Sequence, residues 1–251
     1  MAIAHRRIGT GPVRVIVLHD WFGTSANWGS VLHYFDPEGF SYAFLDYRGY
    51  GDRRDVAGRY TLAEIADDVL ALADEIGWDT FSLMGHSMGG KAIQQVLVRA
   101  PERIEKLIGI NPVPAAPYEM DDATDALFHG AAESAENRRT ILDLVTGHRA
   151  SRHWLDRMVA HSLETSRPEA FAGYFASWQP LDLSAAVKGS TVPVLVLVGE
   201  YDLALTPEVM RATWQVSYPD CRVHPVPGAG HYPPHETPVA FAAAVEAFLR
   251  G

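Results

Sequence analysis

Gly85-His86-Ser87-Met88-Gly89 decides how this chain is read. The pentapeptide follows Thr80-Phe81-Ser82-Leu83-Met84, an apolar run expected to be a buried strand. It precedes Gly90-Lys91-Ala92-Ile93-Gln94-Gln95-Val96-Leu97-Val98, expected to be a helix. A G-x-S-x-G placed between strand and helix makes a turn so tight that its serine is held in strained dihedrals, with the hydroxyl clear of the sheet edge. Glycine is needed at 85 and 89 because a Cβ at either position would meet the neighbouring strand or helix. Ser87 is therefore the expected nucleophile.

A serine hydroxyl is a poor nucleophile near neutral pH, and needs a base within hydrogen-bond reach and an acid to orient that base. Pro193-Val194-Leu195-Val196-Leu197-Val198-Gly199 is a β-forming run, and Glu200-Tyr201-Asp202 follows it at the position where a parallel strand delivers side chains to the carboxyl edge of its sheet. Asp202 is the expected acid; Glu200, nearer the strand, is the rival and is expected to support the loop. Val223-His224-Pro225-Val226 reads as a further strand, with Gly228-Ala229-Gly230-His231 as the loop leaving it, and His231 is the expected base. Acyl transfer also builds negative charge on the carbonyl oxygen. The amide of Met88, at a helix N-terminus, is placed to meet it.

With these residues in place, the chain resembles the α/β-hydrolase superfamily, close to its small, cofactor-free esterase and haloperoxidase-like branch. The motifs that carry the resemblance are Leu18-His19-Asp20-Trp21, Asp46-Tyr47-Arg48-Gly49-Tyr50-Gly51, the serine pentapeptide, Gly199-Glu200-Tyr201-Asp202 and Gly228-Ala229-Gly230-His231. By position, the resemblance implies that the second oxyanion donor is the amide of Trp21. The family usually carries glycine after the first motif's histidine, where this chain has Asp20; that side chain is expected either to orient the loop or to be solvated.

Strands at Arg14 to Leu18, Tyr42 to Leu45 and Ile104 to Ile110 alternate with helices. One helix is expected from Ser25 to Phe35, and another opens at the capping box Thr61-Leu62-Ala63-Glu64 and stops at Gly77. Thr206-Pro207 and Thr237-Pro238 open two more. This alternation implies an α/β fold with a mostly parallel central sheet and helices on both faces, its ligand site beyond the strands' carboxyl ends. From Pro112 to about Ser184 the alternation fails, and the amphipathic stretches Asp125 to Ala132, Asn137 to Val145, Ser151 to Leu163 and Pro168 to Trp178 read as helices. The expected organisation is a core of 1–112 and 185–251 with an inserted helical cap at 113–184. Trp28, Phe128, Trp154, Tyr174 and Trp178 are pocket candidates, with Phe171 and Phe175 beside them; each has an ordinary alternative as core of the segment.

The formal net charge of −10 argues against a nucleic-acid surface. The arginine pairs 6–7, 53–54 and 138–139 are read as solvated, Asp46 and Arg48 as a loop-fastening ion pair, His86 as packed beneath the turn, His235 as solvent-facing and Lys91 as structural. The single cysteine, Cys221, permits no internal disulfide. No apolar leader or membrane-length run is seen, so a cytoplasmic protein without membrane partners is expected. None of the histidines forms an H-E-x-x-H pair, and no metal or cofactor is expected. The expected activity is that of a serine hydrolase cleaving a small, largely apolar ester or lactone. Perhydrolysis, C–C bond hydrolysis, lyase chemistry and slow-turnover lactone sensing remain as alternatives on the same triad.

Overall fold

A computed structural model describes residues 3–251. Seven strands form one sheet: β1 (His5–Ile8), β2 (Val13–Leu18), β3 (Phe40–Leu45), β4 (Phe81–His86), β5 (Ile104–Ile110), β6 (Val194–Gly199) and β7 (Cys221–Val226). Their spatial order is β1-β3-β2-β4-β5-β6-β7, with β1 antiparallel to β3 and every other pairing parallel. The registers Leu18↔Gly85, His86↔Ile110, Ile110↔Leu197 and Gly199↔Val226 bring the carboxyl ends of β2, β4, β5, β6 and β7 into one row. Whatever follows each of those strands is delivered to the same edge.

The period-2 alternation of strand side chains divides the core in two. Ile16 and Leu18 face a layer built by α1 (Leu62–Glu75) and α2 (Met88–Arg99), through Ile65, Val69, Ile93 and Val96. Val15 and Val17 face the opposite layer, where Val31, Phe241 and Val245 pack. Between β5 and β6 the chain runs through α3 (Asp122–Gly130), α4 (Ala135–Val145), α5 (Arg152–Thr165), α6 (Pro168–Trp178) and the short α7 (Ser184–Val187). Then come α8 (Pro207–Ser217), α9 (Pro233–Glu236) and α10 (Pro238–Arg250), the last covering the second face. None of the helices among the described residues is long and apolar enough to cross a membrane.

Side-chain caps set the helix starts. Asp121, Ser134 and Ser151 accept from the amides of Thr124 (2.7 Å), Asn137 (3.1 Å) and Trp154 (3.2 Å), so α3 and α4 begin two or three residues before their amphipathic stretches. Thr61 caps α1 by accepting from the Glu64 amide, but the Glu64 carboxylate reaches Arg59 and Tyr60 instead of closing the box. Gly77, at φ 71°, ends that helix as expected.

Several expectations are corrected. The helix from Ser25 to Phe35 is only a 3-10 turn, Gly29–His33, because Gly29 sits at φ 64° against the His235 ring. Strand β1 carries no apolar run and was not expected. Arg53 and Arg138 are buried rather than solvated. Arg53 pairs with Asp68, and Arg138 donates to Ser162 and to the carbonyls of Ala131 and Ala132 while stacking over Phe171. Asp46 and Arg48 do not pair with each other. Asp46 accepts from Ser25 and Asp52, and Arg48 pairs with Glu64 and Asp68.

Candidate active site

Four chemistry-bearing residues follow four adjacent strand ends: Ser87 after β4, Asn111 after β5, Asp202 beyond β6 and His231 beyond β7. Ser87 occupies φ 54°, ψ −115°, a conformation a non-glycine residue adopts only when its surroundings enforce it. Its amide donates to the Ile110 carbonyl at 2.9 Å, and its carbonyl accepts from Val113 at 3.0 Å. A Cβ on Gly89 would lie 2.6 Å from the Leu18 carbonyl oxygen and 2.7 Å from that of His19, so α2 can start only this close to β2 with glycine there. Met88 is the first residue of α2, and its amide has no intrahelical partner to donate to.

Asp202 and His231 meet in a buried pair, Nδ1 to Oδ2 at 2.6 Å. Since an ionised carboxylate can only accept, Nδ1 carries a proton, and in the neutral imidazole it is Nε2 that is free to accept one. Oδ1 of Asp202 accepts from the amides of Ala204 (2.9 Å) and Leu205 (3.0 Å), and Oδ2 also accepts from Asn111 Nδ2 at 2.6 Å. Burial alone would raise the Asp202 carboxyl, but the His231 charge and hydrogen bond and the Leu205 and Ala204 amides outweigh it and hold it below the ordinary value. Burial likewise works against the His231 imidazolium; the Asp202 charge and hydrogen bond overcome it and raise that pKa.

Asn111 was not singled out from sequence beyond its place before a proline. It sits at φ 39°, which asparagine tolerates better than most residues, and its Oδ1 accepts from the Gly199 amide. An Asn-Pro pair closing an apolar strand was the available signal. The loop-supporting role expected for Glu200 matches its contact, since its carboxylate accepts from the Gly228 amide at 3.0 Å. Glu236 accepts from the amides of Gly230 and Tyr232, on either side of His231.

The turn carrying Trp21 is held by its carbonyls. Tyr47 Oη donates to the His19 carbonyl (2.7 Å), His19 Nδ1 to the Asp20 carbonyl (2.7 Å) and Tyr50 Oη to the Trp21 carbonyl (3.0 Å). Burial pushes both tyrosines well above their ordinary range, so they remain donors. Asp20 is not solvated. It is 5% exposed and accepts from Tyr232 Oη at 2.7 Å, which ties the Trp21 turn to the histidine loop. His86 donates from Nε2 to the His231 carbonyl at 2.7 Å, and burial lowers its pKa to about 4.

A narrow cavity of about 50 Å³ is lined by Ser87, His231, Met88 and Trp21 together with apolar side chains. No side-chain hydrogen bond joins Ser87 to His231 among the described residues; such contacts commonly tighten only when substrate binds. Of the five pocket candidates, Phe128 and Trp178 line this cavity and three do not. Trp28 packs edge-on against Phe44 in the core on the other sheet face. Trp154 leans on Tyr232 and His235 and lines an outer groove of about 320 Å³. Tyr174 is buried against Tyr47 and Tyr50, with its hydroxyl on the Arg48 carbonyl. His235 is partly buried and donates to the Asn27 carbonyl, not to solvent. No three His, Cys, Asp or Glu side chains gather as a metal site would require, among the described residues.

The model of the alpha/beta hydrolase family matches residues 15–244. The chain belongs to that family. This alpha/beta hydrolase is 28% identical over 258 residues to a pimeloyl-[acyl-carrier protein] methyl ester esterase of Serratia marcescens, covering 99% of this chain and 98% of that one. It is also 30% identical over 145 residues to the dihydrolipoyllysine-residue acetyltransferase component of an acetoin cleaving system from Cupriavidus necator; that match spans 57% of this chain and only 37% of the relative. Among solved structures it superposes on an esterase from Exiguobacterium antarcticum with a TM-score of 0.86 at 19% identity, over 99% of this chain and 96% of the other. It is an alpha/beta hydrolase with esterase relatives.

Proposed function

We propose that the chain is a serine hydrolase that cleaves a small, largely apolar carboxylic ester or lactone through an acyl-enzyme. The observation that carries this reading is one cavity bordered by Ser87, Met88, Trp21 and His231, with His231 backed by Asp202 at 2.6 Å. Ser87 Oγ attacks the substrate carbonyl while His231 Nε2 takes its proton. The amides of Met88 and Trp21 meet the oxyanion; one such donor is worth about 2.7–4 kcal/mol in the transition state. The imidazolium then protonates the departing alkoxide, and ionised Asp202 stabilises it without itself taking the proton. Water enters, is activated by the same imidazole and releases the acid. The narrow apolar cavity, under a cap formed by residues 113–184, favours short acyl or alcohol groups, and the relative named as a pimeloyl-[acyl-carrier protein] methyl ester esterase supports a small alcohol group.

The test is Ser87→Ala on p-nitrophenyl acetate, with circular dichroism to check the fold. Turnover falls by a factor of 10³ or more in an otherwise native protein; equal activity in the variant refutes the nucleophile.

A further inference from the structure

The helices inserted between β5 and β6 join the sheet through two short connections, residues 113–118 on entry and 178–183 on exit. These brace each other: the Tyr118 amide donates to the Gln179 carbonyl at 2.9 Å, and the Leu183 amide to the Ala115 carbonyl at 2.9 Å. Both are also tied to α2, the helix that starts at Ser87. Gln94 donates from Nε2 to the Val113 carbonyl at 3.2 Å. Three residues earlier, Lys91 Nζ donates to the Ala116 carbonyl on the entry side and to the Trp178 carbonyl on the exit side, each at 2.8 Å. A single amine thus spans both connections.

Lys91 is 0% exposed, and burying an ammonium group is costly unless its surroundings answer its charge. Burial lowers its pKa to about 8, which the Asp182 charge only partly offsets. The compensation comes from carbonyl dipoles. Trp178 is the last residue of α6, where carbonyls lack intrahelical partners and a nearby cation is favoured. An apolar side chain of similar size would fill the space without the desolvation cost. What the amine adds is that it fixes two backbone segments at once. Those segments are walls of the cavity beside Ser87: Val113, Tyr118 and Trp178 line it, whereas Lys91 does not. Tyr118 lies two residues from one clamped carbonyl, and Trp178 carries the other.

We propose that Lys91 limits the length of ester this enzyme accepts: its amine holds the two connections against α2, and an acyl chain too long for the narrow cavity enters only by breaking those bonds. This rests on the cavity beside Ser87 being the ester site. Lys91 is then a positioning residue that touches no substrate atom.

The experiment measures kcat/KM of the wild-type protein and Lys91→Met on p-nitrophenyl acetate, butanoate, hexanoate and octanoate. Methionine keeps an unbranched stem and removes the donor. The wild-type values are expected to fall with chain length. The variant-to-wild-type ratio, in which each ester's intrinsic reactivity cancels, is expected to be about tenfold higher on octanoate than on acetate, the scale of one charge-assisted hydrogen bond removed from the cost of opening. A ratio equal on all four esters means that the amine only stabilises the fold, and overturns the proposal. So does a wild type whose values do not fall with chain length. If the wild type turns over none of the four, the ester reading itself falls, and this inference with it.

A second measurement needs no variant and no turnover. Native-state hydrogen exchange of the wild-type protein compares the Tyr118 and Leu183 amides, which brace the connections, with those of Ile108 and Val196 inside the sheet. The two pairs are expected to exchange within about tenfold of each other, because the connections are pinned to the core. Faster exchange of Tyr118 and Leu183 than that, through a local opening that leaves the sheet protected, refutes the clamp.

Discussion

Replacing Tyr232 by Phe removes one oxygen and leaves a buried carboxylate short of its best donor. Asp20 Oδ2 accepts from Tyr232 Oη at 2.7 Å; its next donor, the Phe22 amide, is at 3.4 Å. The His86 ring stands 3.9 Å from Oδ1, but it offers no proton there. Its Nε2–H is committed to the His231 carbonyl, and with a pKa of about 4 its Nδ1 carries only a lone pair at neutral pH. A hydrogen bond to a charged group is worth about 1.5–3 kcal/mol, and about 2–4 °C of melting temperature goes with each kcal/mol in a chain of this length, so Tyr232→Phe lowers Tm by about 3–12 °C at neutral pH. The pH dependence has a definite sign. Burial raises the Asp20 pKa, but the charge His86 takes on in the acid range where Asp20 titrates, together with the Tyr232 hydroxyl and the charges of His19 and His231, outweighs it, and the folded value lies below the ordinary 3.8. Such a carboxylate contributes stability that is present above its unfolded pKa and lost as pH falls through the folded one. Without the hydroxyl the folded pKa rises and that contribution shrinks. The gap between the two proteins is therefore widest at pH 7–8, narrows as the pH falls through the variant's raised folded pKa, and closes only below the wild-type folded value, under 3.8, where Asp20 is protonated in both. Thermal unfolding of both proteins from pH 8 down to 3 measures it. A difference below 1 °C at pH 7.5, or one that stays constant with pH, defeats the reasoning.

Two further outcomes are expected. The kcat/KM for p-nitrophenyl acetate rises with pH as His231 loses its proton, and because Asp202 raises that pKa the midpoint lies above the ordinary imidazole value of 6.5; a profile from pH 5 to 9 with its midpoint at or below 6.5 contradicts the electrostatics. Asn111→Ala removes a 2.6 Å donor from Asp202 and an acceptor from the Gly199 amide, and puts alanine at φ 39°. Its kcat/KM falls by about tenfold or more, the equivalent of one charge-assisted hydrogen bond, and an undiminished value shows that Asn111 does not help to hold Asp202.

What was legible in the sequence and what was not divide along the range of the interaction. Ser87 is readable because its conformation is decided by five consecutive residues, and the glycines on either side answer to backbone only 2.6–2.7 Å from where the Gly89 Cβ would stand. Asp202 and His231 are readable because each follows a strand whose apolar run announces its end. The helices between β5 and β6 are readable because period and caps agree. What escapes is set by long-range contact. Trp28, Trp154 and Tyr174 are as aromatic as Phe128 and Trp178, and only the packing of α5 and α6 against the core decides which rings border the cavity. Arg53 and Arg138 look like surface charges until Asp68, Ser162 and the helix-end carbonyls of Ala131 and Ala132 are found around them. Asp20 shows the division within a single residue. Its departure from the usual glycine is visible in one line of sequence, yet its partner lies 212 positions away in Tyr232. Burying the carboxylate requires a donor from the histidine loop, because its local donor, the Phe22 amide, stands 3.4 Å away. A substitution at the start of the Trp21 turn is thereby coupled to the residue following His231. Asp20 and Tyr232 are best understood as one feature, and changing either alone costs more than changing both to an apolar pair of matching size.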